Sequence, residues 1–160
     1  VTEALVVSIT TFSAQNFGAR NYDRMRKGYH TSLLLSFVLI GGLSGVLLVF
    51  SGPLSRLFID DASISAYTTT IIHFIAPFYA IFSIIENASG SIRGAGVSFQ
   101  PMVLTIFGTV VLRVIWLFAI MPLDPSLEHL LLVYPVTWII TATMFTIYHH
   151  SGNWLGRATA

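Results

Sequence analysis

A carboxylate and a cluster of small residues interrupt a long apolar region at residues 85–96, which reads IENASGSIRGAG. Glu86 is therefore an ionisable group inside an apolar run. A charge in a membrane interior is costly, so it usually faces protein or a water-filled cavity. Gly90, Gly94 and Gly96 predict close backbone approach and then a tight reversal of the chain. This combination suggests transport before enzyme chemistry.

Four residues of the same helix are candidates for an ion-binding face. Ser83, Glu86, Asn87 and Gly90 follow spacings of three, four and seven residues, which place them on one side of a helix. A carboxyl group there can change its protonation or ion occupancy when its surroundings change. The face would suit a hydrated cavity, with Glu86, Asn87 and Ser83 in ion coupling or gating. The alternative is structural, with Glu86 paired permanently to an arginine.

Two arginines are candidates for that pairing. Arg93 is about 10 Å along the helix axis from Glu86, which is far for direct contact. Arg113 lies within the next apolar run. We expect it to bind backbone carbonyl groups or a carboxylate between helices, in a helix-pairing or gating role. His73 is expected near the opposite end of its helix from Arg93, as a hydrogen-bonded histidine rather than a pH sensor.

The composition indicates the class of protein. The chain of 160 residues is 54% hydrophobic and 9% charged, whereas about a quarter of the residues in a soluble domain are charged. We therefore predict an all-α membrane protein, a polytopic helical bundle. Cysteine is absent, which excludes disulfides and thiolate metal sites. Because the first residues already read as the middle of an apolar helix, we expect a piece of a longer polypeptide.

Five apolar runs predict five membrane-spanning helices, since about 20 residues cross a bilayer core. Gly41 and Gly45 form a GxxxG spacing that favours close helix packing in the second span. Pro77 and Pro135 predict bends in the third and fifth spans. The predicted spans are about residues 1–17, 30–50, 64–92, 99–121 and 129–148.

Basic residues are concentrated in connectors on one side of the predicted membrane. Residues 18–28 are expected to form a polar connector, whereas the sequence SGP at residues 51–53 is expected to end the second span. The positive-inside rule places the basic side, including the C-terminus, in the cytoplasm. Six of the eight Lys and Arg residues lie on this side, namely Arg20, Arg24, Arg26, Lys27, Arg93 and Arg157.

Two segments resemble the multidrug and toxic compound extrusion (MATE) transporters. The first is FSAQNFGARNYDR at residues 12–24, which is similar to the family's GQNxGAxN stretch between consecutive helices. The second is SGSIRGAG at residues 89–96, followed by LRVIW at residues 112–116. The two motifs together, in this order along the chain, are specific for the family. The loop residues that match the family motifs are Gln15, Asn16, Gly18, Arg93, Gly94 and Gly96.

The resemblance implies a twelve-helix exporter made of two six-helix bundles that work by alternating access. Residues 134–138, YPVTW, and the short tail after them resemble the end of the family's second bundle. By this resemblance the chain runs from the end of the eighth helix through the twelfth. A first bundle would instead be expected to continue into a long linker. The implied partners are the missing N-terminal bundle of the same polypeptide, membrane lipids and small organic cations, with no nucleic acid. The coupling ion would be H+ or Na+, with no other cofactor, in the bacterial inner (plasma) membrane.

Three positions depart from the family pattern. Ala14 precedes Gln15 where the family commonly has Gly. Val97 follows the GAG turn where the family often has Asp. Phe82 stands where some members have an acidic residue that takes part in ion coupling. Glu86 does not occupy the position of that acid, so the resemblance does not assign the acid's role to Glu86.

Aromatic residues, 13% of the chain, could hold flat organic cations by stacking and cation–π attraction. Most of them would instead contact lipid or pack between helices. The candidates for a substrate cavity are Phe78, Tyr79, Phe82, Thr137 and Thr141.

Two other functions stay open. A lipid-linked oligosaccharide flippase of the same fold group would need several cations facing its cavity, of which Arg113 is one. A non-transporting membrane scaffold subunit is favoured if Glu86 and Arg113 pair. An enzyme is not expected, since no GxSxG, HExxH or intrahelical aspartate pair occurs. Adjacent His149 and His150 do not share a helix face, which argues against a metal site.

Overall fold

The computed structural model describes residues 1–158, with the side chains of residues 1–156. All regular structure in this part of the chain is helical. A 3₁₀ turn (Ala76–Phe78) joins the third helix to the fourth, and a π-helical segment (Ile106–Val111) joins the fifth to the sixth. The side chain of Arg157, counted above with the basic residues, lies outside the described residues. The α-helices are α1 (Thr2–Gly18), α2 (Tyr22–Phe58), α3 (Ala62–Ile75), α4 (Tyr79–Gly94), α5 (Phe99–Thr105), α6 (Leu112–Ala119), α7 (Leu127–Ser151) and α8 (Asn153–Ala158).

Four helical stretches are long and apolar enough to cross a membrane. They contain 21 to 37 residues, and about 20 suffice. Helix α1, with 17 residues, is shorter than these four stretches and packs with them in the bundle. The fold class expected from the sequence, a polytopic helical membrane bundle, is therefore confirmed. The four stretches are Tyr22–Phe58, Ala62–Gly94, Phe99–Ala119 and Leu127–Ser151.

The polar connector predicted at residues 18–28 is wrong in extent. Helix α1 ends at Gly18 and α2 begins at Tyr22, so only three residues separate them. The Asn21 side chain accepts a hydrogen bond from the backbone N–H of Arg24 at 3.2 Å and caps α2. Arg, Lys and Met are good helix formers. The basic residues therefore form the first turns of α2 instead of a loop.

Helix α2 also continues past the predicted stop at residues 51–53 and ends only at Phe58. Pro53 removes one backbone donor, but serine hydroxyls and a histidine bond carbonyl groups around it. Ser51 Oγ donates to the Leu48 carbonyl at 3.0 Å. His73 Nε2 lies 2.8 Å from Ser51 Oγ and 3.2 Å from that carbonyl. These bonds fasten the turn before Pro53 to α3, and they confirm His73 as a hydrogen-bonded residue.

Three irregular places interrupt the other long helices. The 3₁₀ turn contains Pro77 and separates α3 from α4, which confirms the predicted interruption of the third span. Pro135 lies inside α7. The π-helical segment at Ile106–Val111 was not predicted, since no proline or charge marks it. Single π turns within α-helices are frequent at functional sites.

Helix α4 is the centre of the bundle and packs against α1, α2 and α7. Its buried residues meet those of the three neighbours in one apolar core. This arrangement places the small-residue stretch 85–96 at the most enclosed part of the chain. The core consists of Ile9, Met25, Tyr29, Ile85, Ala88, Ile92, Ala95, Val97, Trp138, Ala142, Phe145 and Trp154.

The GxxxG spacing in α2 does not form a helix contact in this part of the protein. A Cβ atom added at Gly41 or Gly45 would meet no atom within 4 Å. The expectation of close packing through this pair is therefore wrong within the described residues. A small-residue spacing is common in membrane helices and only indicates a possible contact.

Candidate functional site

Helices α1 and α4 lie unusually close together, and glycines make this possible. A Cβ atom at Gly90 would lie 3.0 Å from Thr10 Oγ1, and one at Gly94 would overlap the Thr10 carbonyl and lie 2.7 Å from Ser13 Cβ. Ser13 Oγ donates to Ser91 Oγ at 3.3 Å in the same contact. The predicted close backbone approach at Gly90 and Gly94 is thus confirmed, and α1 is the helix that approaches.

The two segments that carry the family resemblance meet at one end of this contact. Helices α1 and α4 are parallel, because Gly90 approaches Val6 whereas Gly94 approaches Ala14. The turns after α1 and after α4 are therefore neighbours. In the first, the Asn16 carbonyl accepts from the backbone N–H of Asn21 at 2.8 Å. In the second, Gly96 has a φ of 87°, which confirms the predicted tight reversal.

Among the family-motif loop residues, some are buried and some are exposed. Asn16 is 7% exposed, and its Nδ2 donates to the Phe12 carbonyl at 2.7 Å. Gln15 and Gly18 are exposed. The backbone carbonyl of Arg93 accepts from Gly96 N–H at 2.9 Å. Asn16 therefore fixes the end of α1, while the Gln15 side chain is accessible at the same turn.

Glu86 lies on α4 beside the α1 contact and is half-buried. Arg93 on its own helix and Glu3 on α1 are within electrostatic range. Its carboxylate forms neither an ion pair nor a hydrogen bond with any side chain that the structure describes. The alternative in which Glu86 is permanently paired with Arg93 or Arg113 is therefore not seen in this conformation.

Ser83 and Asn87, the other two ion-coupling or gating candidates, are buried between helices. Asn87 is 1% exposed. Its Oδ1 accepts from Ser32 Oγ at 2.6 Å and its Nδ2 donates to Ser36 Oγ at 2.8 Å. Ser83 Oγ donates to the Ala80 carbonyl at 2.6 Å. Asn87 therefore packs on α2 and Ser83 is bonded within its own helix, so Glu86 is the accessible member of the group.

Arg113 binds an aromatic ring in place of a carbonyl or a carboxylate. Its Cζ lies 4.6 Å from the centroid of the Tyr134 ring, a distance at which cation–π attraction is significant. Its buried Nε has no hydrogen-bond partner among the described atoms. The prediction of a carbonyl or carboxylate partner is therefore wrong here. Arg113 still joins helices, since α6 carries the cation and α7 carries the ring.

The aromatic substrate-cavity candidates surround Trp138, a residue that was not itself predicted to line the cavity. Tyr79 and Phe82 each have a ring centroid 5.4 Å from that of Trp138, and Tyr134 lies at 6.0 Å. Phe78 packs against the same core. Tyr79 is 43% exposed. The cluster therefore links the Arg113 contact to an accessible ring on α4.

The two threonine candidates are buried on α7, and one of them, Thr141, packs against the π-helical segment. Thr137 and Thr141 are 1% and 0% exposed. Their hydroxyls donate to the Val133 carbonyl at 2.7 Å and the Thr137 carbonyl at 2.6 Å. A Cβ at Gly108 would overlap Thr141 Oγ1. In this conformation Thr141 lies where α7 packs on the π segment, and Thr137 is buried with its hydroxyl bonded within α7.

A ring stack closes the end of the bundle where the basic residues lie. His149 stacks on Tyr29 with centroids 4.0 Å apart. Trp154 Nε1 donates to the His149 carbonyl at 3.0 Å. The end of α7 therefore lies beside the beginning of α2. No group of three or more His, Cys, Asp or Glu residues within residues 1–158 could hold a metal ion.

The fold and these contacts define an α-helical integral membrane protein, with apolar helices long enough to span and polar groups turned toward one another. The chain belongs to the MatE family, whose model matches residues 1–118. It is 24% identical over 104 residues to the probable multidrug resistance protein YoeA of Bacillus subtilis (strain 168). The alignment covers 65% of this chain and 22% of that relative, so the chain spans much less than two thirds of it. No solved structure matches the chain.

Proposed function

We propose that this chain is the end of the eighth helix through the twelfth helix of a twelve-helix multidrug efflux antiporter. The observation that carries the proposal is the MatE match over residues 1–118. The name of the relative, a probable multidrug resistance protein, supports drugs as the exported class. The assignment to the second bundle rests on the resemblance of residues 134–138 to the end of that bundle.

Glu86 is proposed as the ion-coupling or gating carboxylate for H+ or Na+. It is half-buried and free of an ion pair with the described side chains. A coupling carboxylate has to exchange an ion between two conformations, and a permanently paired one could not. Asn87 and Ser83 would then hold α4 in place rather than bind the ion.

Small organic cations are the proposed substrates, held between this bundle and its N-terminal partner. The aromatic cluster around Trp138, with the exposed ring of Tyr79, is the part of this chain that would stack on them. Alternating access would rock the two bundles against each other. The π-helical segment and Pro135 are the places where such a movement would bend this bundle.

The basic end is proposed to face the cytoplasm, with the protein in the bacterial inner membrane. The turns after α1 and α4 are neighbours, and the end of α7 stacks on the start of α2. The basic residues of these segments are therefore at one end of the bundle. The positive-inside rule assigns such an end to the cytoplasm.

Efflux of a fluorescent cationic dye from cells carrying the full-length protein tests the proposal. We expect the collapse of one gradient, that of protons or that of sodium ions, to stop efflux. The gradient whose collapse stops efflux identifies the coupling ion. Glu86→Gln should abolish ion-driven efflux, whereas Glu128→Gln, at an exposed carboxylate of α7, should leave it unchanged. Dye retention that is indifferent to both gradients, at normal expression, would favour the flippase or scaffold alternative.

A further inference from the structure

A groove of about 590 Å³ runs between α1 and α2 on the surface of the bundle. The two helices are joined by three residues, so they lie antiparallel with Phe12 of α1 level with Gly28 of α2. The Phe12 ring occupies the space that a side chain at position 28 would fill and forms the floor at this level. Residues along the groove include Leu5, Ile9, Phe12, Arg24, Lys27 and Leu35.

The groove is cationic at one end and mostly apolar along its length, where the hydroxyl groups of Ser8, Thr31 and Ser32 also line it. Arg24 and Lys27 are exposed and line the end beside the turn between the helices. The Arg24 Cζ lies 5.8 Å from the centroid of the Phe12 ring. Leu35 lines the other end, and eleven residues of helix from Arg24 correspond to about 16 Å. The cations therefore lie at the end of the helices, and the apolar length extends toward their middle.

We propose that this groove binds an anionic glycerophospholipid. Its phosphate lies at Arg24 and Lys27, and one acyl chain follows Leu5, Ile9 and Leu35. Basic pockets between membrane helices bind anionic headgroups, and each Lys or Arg near the surface contributes to this attraction. The orientation matches a lipid in a leaflet, with charge at the interface and apolar surface toward the membrane centre.

Charge favours a lipid over a further helix of the polypeptide as the occupant. Neither Arg24 nor Lys27 forms an ion pair with a carboxylate among the described side chains. A helix placed in the groove would enclose both cations and would need a carboxylate at their level, since unpaired charges are costly in the membrane. An anionic headgroup supplies that charge and remains in contact with water. The site is independent of what the protein transports.

Native mass spectrometry of the whole polypeptide tests the site with dioleoyl phosphatidylglycerol and dioleoyl phosphatidylcholine, which share their acyl chains. The variant Arg24→Gln with Lys27→Gln removes the groove cations. Its matched control is Arg20→Gln with Arg26→Gln, which removes the same charge from the same end outside the groove. We expect phosphatidylglycerol affinity to fall about tenfold in the groove variant, and less than twofold in the control.

A second variant tests the apolar part without changing charge. Ser8 lines the groove and is exposed, so Ser8→Trp fills the groove while leaving the fold intact, as its melting temperature would show. We expect it to weaken phosphatidylglycerol binding by a similar factor. Equal losses in the two charge variants, equal binding of the two lipids, or undiminished binding to Ser8→Trp would each overturn the proposal.

Discussion

Asn87 on α4 donates a hydrogen bond from Nδ2 to Ser36 Oγ on α2, over 2.8 Å. Its Oδ1 accepts from Ser32 Oγ at 2.6 Å, and its Nδ2 also donates to the Ser83 carbonyl at 2.8 Å. One amide thus satisfies both of its polar atoms in a place where it is 1% exposed. Because apolar surface does not drive helix association in lipid, such bonds and close packing hold membrane helices together.

We expect Asn87→Leu to lower the free energy of unfolding by about 1–3 kcal/mol. Hydrogen bonds between membrane helices contribute about 0.6 kcal/mol each on average, and the change also leaves two serine hydroxyls without their amide partner. Denaturation in mixed micelles measures the loss. The control is Thr143→Val on the exposed face of α7, where the hydroxyl bonds only its own helix, at the Ile139 carbonyl. Similar losses in both would contradict the bridging role of Asn87.

Two glycine-to-alanine substitutions should change the stability of the protein in opposite directions. In Gly94→Ala the new methyl group overlaps the Thr10 carbonyl and lies 2.7 Å from Ser13 Cβ. Neither group is the end of a flexible chain, so overpacking should cost about 1–3 kcal/mol. In Gly45→Ala the methyl group meets no atom within 4 Å, and alanine is better than glycine inside a helix by about 0.5–1 kcal/mol.

The melting temperatures of the two alanine variants in the same detergent check this prediction. The Gly94 variant should melt below the native protein and the Gly45 variant at or slightly above it. A destabilised Gly45 variant would mean that another helix of the full-length polypeptide packs on this face of α2. In that case Gly41 and Gly45 would form the expected close contact, but with a helix that lies outside these 160 residues.

The fold was predictable because composition and spacing act over many residues. The 54% hydrophobic content and the apolar runs determine an all-helical membrane bundle, whatever the individual contacts. The reversal at Gly96 and the approach at Gly94 followed from glycine chemistry, since few other residues fit such positions. None of these signals depends on which residue of another helix is the neighbour.

The errors came from partners that the sequence does not name. Arg113 was assigned to oxygen ligands, yet the ring of Tyr134, 21 positions away, is its neighbour. Residues 51–53 were expected to end the second span, but α2 continues to Phe58, and His73 of α3 bonds the turn before Pro53. The π-helical segment contains Gly108, which lies against Thr141 of α7. Each outcome was decided by a contact between helices.

Removing the Asp61 carboxylate should destabilise the protein in a pH-dependent way. Asp61 caps α3, outside the spans. Hydrogen bonds from the Ser63 hydroxyl, and then from the backbone N–H groups of Ser63 and Ile64, hold the pKa of Asp61 below its usual value. Because the pKa is lower in the folded state than in the unfolded state, the ionised carboxylate stabilises the fold at any pH above its unfolded-state pKa of about 3.9. This stabilisation is lost as the pH falls through the pKa of the folded state.

Asp61→Ala should therefore melt below the native protein at neutral pH, and the difference should shrink as the pH is lowered past about 4. Melting curves between pH 7 and pH 3 measure this. Asp60→Ala is the control, since that carboxylate lies one residue further from the helix. A difference that stays constant over the whole range would show that capping by the ionised side chain is not the cause.

The contact between Arg113 and Tyr134 predicts an energetic coupling across α6 and α7. The guanidinium carbon is 4.6 Å from the ring centroid, and partly desolvated cation–π pairs contribute about 1 kcal/mol. A double-mutant cycle of Arg113→Gln and Tyr134→Leu should give a coupling free energy of about that size. Tyr134→Phe keeps the ring face and should leave most of the coupling. Additive effects would mean that the cation acts elsewhere, which is the behaviour expected if Arg113 binds an anionic headgroup in a flippase cavity.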